Sequence, residues 1–138
     1  MKDLTPDIYR PLAEYRYLLR KFLRFSKDVL RERAGINPEQ YEALLAVKVF
    51  ASDDPLTISQ LSERLQVKHH SAVNIVDRLV ERKLITRQLS AQDRRQRYLQ
   101  LTEKGEKLIQ ELASAHFKEL RARSTEEFAT RYKFGDER

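Results

Sequence analysis

From Asp7 to Lys83 the apolar residues of this chain recur every three or four positions, and from Ile85 to Leu101 they recur every second position. That change of period constrains the fold most, because the first spacing suits one face of a helix and the second suits a half-buried strand. With only three Gly and four Pro in 138 residues, little else punctuates the chain. The expected fold is mainly α with a small β-hairpin. Leu12, Tyr15, Leu19, Phe22, Leu23 and Val29, with Arg16, Arg20, Arg24, Lys27 and Arg31 between them, predict one long amphipathic helix from Asp7 to about Arg33. Gly35 ends it, and Asn37-Pro38 offers a cap and a first helical residue for a second helix through Tyr41, Leu44, Leu45 and Val49, closed by Asp53-Asp54-Pro55. A short third helix is expected over 58–65, and Gln66-Val67-Lys68 turns into a fourth, about His69 to Lys83, with the stripe Ala72, Ile75, Val76, Leu79 and Val80. Two strands flank the polar loop 90–96. Thr102-Glu103-Lys104-Gly105 then reads as the cap and first turn of a last long helix, and Ser124-Thr125-Glu126-Glu127 has the spacing of a capping box for a short terminal one.

The net charge of +6 is unevenly spread, since residues 68 to 104 hold nine basic and four acidic side chains while residues 34 to 67 are net acidic. A local surplus points to a site for an anionic partner. The longest apolar runs are a handful of residues, against the roughly 20 of a membrane span, and the N-terminus lacks the apolar stretch of a secretory signal. The reading is a soluble, cytoplasmic protein with no membrane partner. Absence of Cys removes disulfides, thiolate metal sites and cysteine nucleophiles.

Helix, tight turn, helix and hairpin in that order is the layout of a winged helix-turn-helix, in which the second helix of the pair enters a DNA major groove. The fourth helix carries suitable side chains opposite its apolar stripe: His70, Asn74, Asp77 and Glu81 in line, with Ser71 and Arg78 beside them. Asn74 can pair with adenine bidentately, and Ser71 and His70 suit bases or phosphates. Lys68, Arg78 and Arg82 suit phosphates, and His69 and Arg87 join the candidate DNA-binding set. Taken alone, this face is explained slightly better as a solvated helix surface. The hairpin decides between them, because Arg94, Arg95 and Arg97 crowd one loop against a single acid, Asp93, and like charges so close repel unless an anion is near. An arginine at such a tip fits the narrow minor groove, with Asp93 placed to orient Arg95.

Leu61-Ser-Glu-Arg-Leu65, Val76-Asp-Arg-Leu79 and above all Asp93-Arg-Arg95 followed by Leu99-Gln-Leu101-Thr102-Glu-Lys-Gly105 resemble the MarR family of bacterial transcriptional regulators. The resemblance covers about residues 55 to 107. It implies a single domain over 1–138, with dimerisation helices at 1–36 and 102–138 and a DNA-binding lobe at 37–101. It further implies a homodimer that binds double-stranded DNA at a pseudo-palindromic operator, acts as a repressor, and is released by a small aromatic effector. In that scheme Arg95 is the wing arginine and the helix beginning near His69 the recognition helix. The chain departs from the family pattern at Lys83, where glycine commonly precedes the first strand, and at Lys68, where a small polar cap is usual.

Other chemistry is weaker. His69 and His70 are adjacent, point about 100° apart on a helix and cannot chelate one ion, and His116 is distant in sequence. No phosphate loop, nucleophile elbow or catalytic triad is legible, so no enzymatic activity, metal or cofactor is expected. The basic first helix suits a lipid surface less well than a dimer arm. Tyr9, Tyr15, Tyr17, Phe22 and Phe25 suit either an aromatic effector pocket or, residue by residue, core packing. The competing function is a winged-helix interaction module that docks an acidic protein.

Overall fold

The computed structural model describes residues 6–50, 54–89 and 97–123. After one 3-10 turn at Pro6–Ile8 come α1 (Tyr9–Ala34), α2 (Pro38–Val49), α3 (Ile58–Leu65), α4 (His69–Glu81), β1 (Ile85–Leu89), β2 (Arg97–Leu101) and α5 (Glu103–Arg123). The architecture is mainly helical with one antiparallel hairpin, paired in register from Ile85 opposite Leu101 to Leu89 opposite Arg97. It is a winged helix-turn-helix with long helices at both ends.

Local chemistry accounts for most boundaries. Gly35 takes the left-handed conformation (φ 63°) that glycine adopts without a Cβ penalty, its N–H bonds Arg31 O, and the buried Ile36 bonds Leu30 O. Both α2 and α3 begin with reciprocal capping boxes, Asn37 with Gln40 and Thr57 with Gln60. The end of α2 departs from expectation, because the helix stops at Val49, ahead of the proline. Past that end the Arg64 guanidinium lies 4.8 Å from the centroid of the Phe50 ring. Asp53 and the capping box at Ser124 lie outside the described residues.

One buried cluster joins every element: Leu30 from α1, Leu44 and Val47 from α2, Leu61 from α3, Val76 and Leu79 from α4, Ile85 and Leu99 from the hairpin, and Ile109 and Leu112 from α5. The hairpin is tied in further through Leu99 N–H, which donates to Leu56 O at 2.9 Å, and a bridge between Thr57 and Tyr98. Leu89, grouped by period with the inward side, is 61% exposed, since the hairpin has run past the core by that residue.

The link between α4 and α5 is tight. Lys83 adopts φ 62°, the left-handed geometry that its position in place of glycine demands. The Thr102 hydroxyl donates to Lys83 O at 2.6 Å, and its oxygen accepts from Gly105 N at 2.9 Å. A Cβ on Gly105 would sit 2.1 Å from Leu84 O, so the first turn of α5 reaches the hairpin only because that residue has no side chain.

Candidate nucleic-acid interface

α3 and α4 pack against each other across a three-residue turn. Gln66 takes φ 55° there, an unusual conformation for a residue with a Cβ, and its amide donates to Glu63 O at 2.7 Å. Val67 N–H closes the turn on Ser62 O. This fixes where α4 starts and which side it shows. Ala72, Val76 and Leu79 are buried, Ile75 and Val80 pack at the margin of the core, and His70, Asn74, Arg78 and Glu81 form one exposed line with Ser71 half-buried beside it. The extended Lys68 precedes α4 without capping it by its side chain, so the free N–H groups and positive dipole end of the helix sit beside Lys68, His69 and His70, all exposed. The arrangement can accept a phosphate at the helix start and present an amide and a guanidinium farther along.

The hairpin stands next to α4, and Arg97 is exposed at its far end, where the chain enters and leaves loop 90–96. Asp93, Arg94 and Arg95 belong to that loop and lie outside the described residues.

Comparison with known proteins bears on these elements directly. The MarR family model matches residues 34–96. The HTH-type transcriptional regulator MhqR of Bacillus subtilis is 31% identical over 86 residues, which are 62% of this chain and 57% of that protein. The HTH-type transcriptional repressor MdtR, also of Bacillus subtilis, is 33% identical over 81 residues, 59% of this chain and 50% of MdtR. The chain thus spans little more than half the length of these curated relatives. A MepR mutant from S. aureus bound to an oligodeoxyribonucleotide superposes with a TM-score of 0.66 at 26% identity, covering 95% of this chain and 92% of that one. Over residues 34–96 this chain is similar to the MarR family.

Two of the arginines selected from sequence have structural partners. Arg87, on β1, is ion-paired with Asp77 of α4, so it braces the hairpin against the helix, and Asp77 is thereby drawn out of the exposed line. Arg82 is a correction. It lies past the end of α4, half-buried, and donates to Gly35 O at 3.2 Å, filling a helix-terminal carbonyl on the side of α1 instead of joining the exposed line. Charge type pointed to both residues, and nothing in the sequence revealed the partners.

His116, set aside in the sequence, proves to be a buried hub of the fold. It is 5% exposed and stacks on Tyr41 with centroids 4.5 Å apart. The Phe22 and Phe25 rings stand edge-on to it, with centroids 6.0 Å away, and both are half-buried. Its Nδ1–H donates to Leu112 O, which can only accept, and Nε2 then accepts from the Ser26 hydroxyl at 2.7 Å. Burial raises the Tyr41 phenol above its ordinary pKa. Tyr9 and Tyr17, by contrast, are more than half exposed, as are Val49 and Phe117. No group of three or more potential metal ligands occurs among the described residues, and no helix there is long and apolar enough to cross a membrane.

Proposed function

We propose that this chain is a sequence-specific, DNA-binding transcriptional regulator that acts as a homodimeric repressor. The observation that carries the reading is the exposed line His70, Asn74 and Arg78 on a helix whose opposite side is locked into the core. Asn74 pairs with adenine, His70 and Ser71 contact bases or phosphates, and Lys68, His69, Arg78 and the amino end of α4 hold phosphate. Arg94, Arg95 and Arg97 serve the minor groove beside it, with Asp93 orienting Arg95. Arg87 acts one step back, through Asp77, by fixing the hairpin relative to α4. Arg82 takes no part.

In this reading residues 37–101 form the DNA-binding lobe and 1–36 with 102–138 the dimer arms. Ile8, Leu12, Leu19 and Leu23 continue along α1 the side that Leu30 buries, yet each is 37–49% exposed, and Phe117 and Leu120 on α5 are exposed as well. Apolar surface of this extent on one side of a helix is what a second copy covers. The repressor assignment follows that of the repressor MdtR, and DNA binding follows the MepR complex. A small aromatic effector would act between arm and lobe by changing the separation of the two recognition helices. No catalytic step is assigned.

Selection of bound fragments from genomic DNA tests the proposal. Recovery of an inverted repeat whose half-sites lie about one helical turn apart supports it, and Asn74→Ala is then expected to relax the preference at one position per half-site. If no fragment is preferred and the protein instead captures an acidic polypeptide, the interaction-module reading replaces it.

A further inference from the structure

The outer side of α1 carries charge that the DNA-reading surface does not use. Arg10, Arg16, Arg20, Lys21, Arg24, Lys27 and Arg31 are all exposed. At about 100° per residue Arg10, Arg20, Lys21, Arg24 and Arg31 share one arc turned from Ser26 and Leu30, with Lys27 and Arg16 at its margin toward Leu30. The arc holds one acid, Asp28, 3.2 Å from Arg31, and the other six cations make no ion pair among the described residues. Arg16, Arg20 and Arg24 follow at four-residue steps, as do Lys27 and Arg31, and like charges at this spacing oppose a helix. Solvated helix faces ordinarily mix the two signs. An array of one sign becomes favourable when a regular polyanion lies along it. Five of the seven cations are arginines, whose planar fork matches phosphate. At about 1.5 Å per residue the row is about 31 Å long, the length of about nine base pairs.

We propose that the outer face of α1 binds the phosphate backbone of a second DNA duplex, distinct from the one read by α4. α1 packs on α2 and α5, whereas α4 packs on α2, α3 and β1, so the two surfaces belong to different sides of the core. A lipid surface is the weaker partner. A membrane-bound helix inserts its apolar side, and here that side runs on from the core at Leu30 and, under the homodimer reading on which this clause rests, is covered by the partner copy.

The test uses the full chain in two variants. One carries Arg16→Gln, Arg20→Gln, Arg24→Gln and Lys27→Gln. The other carries Lys68→Gln, Asn74→Ala and Arg78→Gln, which silences the α4 surface. Light scattering confirms that each keeps the parent's assembly. The α4 variant is expected to retain binding to a random-sequence duplex that weakens about a hundredfold between 50 and 200 mM salt, and combining the two sets abolishes it. The parent, bound to an immobilised duplex, is expected to capture a second, labelled duplex, and the α1 variant is expected to capture none while still binding the first. A parent that captures no second duplex, or an α1 variant that captures it as well as the parent, overturns the proposal. So does displacement of the duplex from the α4 variant by phosphatidylserine vesicles that bind more tightly at the same salt. Failure of the operator reading shows separately, as an α4 variant whose selected sequences match the parent's.

Discussion

Leu12 and Leu30 stand on the same stripe of the same helix, 18 residues and therefore about five turns apart, yet Leu30 is fully buried and Leu12 is 48% exposed. The difference lies in what is opposite them. Leu30 meets a core built by α2 and α5 of its own chain, whereas Leu12 lies on the stretch of α1 beyond it. Amphipathic periodicity establishes that a side is covered and leaves open by whom. The lobe completes its core within one chain, and under the proposed function a second copy completes the arm.

The largest expected effect tests the closed end. Leu30→Ala should cost about 2–5 kcal/mol in urea denaturation, since a fully buried leucine leaves a cavity. The loss should be the same at all protein concentrations. Leu19→Glu probes the open end and should cost about 2–4 kcal/mol of association, because the dimer would bury an unpaired carboxylate. Sedimentation should show monomers at concentrations where the parent is dimeric; a dimer of undiminished strength would show that this stripe is not the interface.

The border between the two regions runs through Ser26 and His116. Ser26→Ala removes the donor to His116 Nε2 and should cost about 1–2 kcal/mol. Independence from protein concentration would place the border residue with the core; a loss that vanishes at high concentration would place it with the arm. The smallest effect concerns pH. The folded-state pKa of Tyr41 is raised by burial, so the native state holds its phenolic proton longer than the unfolded chain does. Its contribution is therefore complete below the unfolded value near 10.0 and is lost as pH rises through the folded one. Tyr41→Phe should flatten the alkaline fall in stability relative to the parent, and parallel profiles would contradict the assignment.

How far residues could be read from sequence follows the range of the interaction that fixes them. The third helix was legible to its ends, because Thr57 with Gln60 and the 61–65 spacing are local. Which side of α4 is exposed was legible for the same reason. Arg87 and Arg82 were selected correctly as cations but could not be told from phosphate ligands, since Asp77 and the Gly35 carbonyl become their partners only in the fold. His116 was illegible altogether, because its hydrogen-bond partner Ser26 is 90 residues away and its stacking partner lies on α2. Leu89 was assigned to the inner side by alternation, which carries no information about where a hairpin outruns its support.

The clasp between Lys83, Thr102 and Gly105 has a mechanical consequence. With a hydroxyl bridging the two chain segments and Leu84 O pressed against a residue that has no side chain, there is no slack between the end of α4 and the start of α5. α4 has 13 residues and is therefore a lever about 20 Å long, pivoted at that clasp. Under the proposed function, a tilt of about 10° carried through the clasp with the lobe would swing the far end of α4 by about 3.4 Å, one step of the DNA ladder and so a whole base pair of misregister.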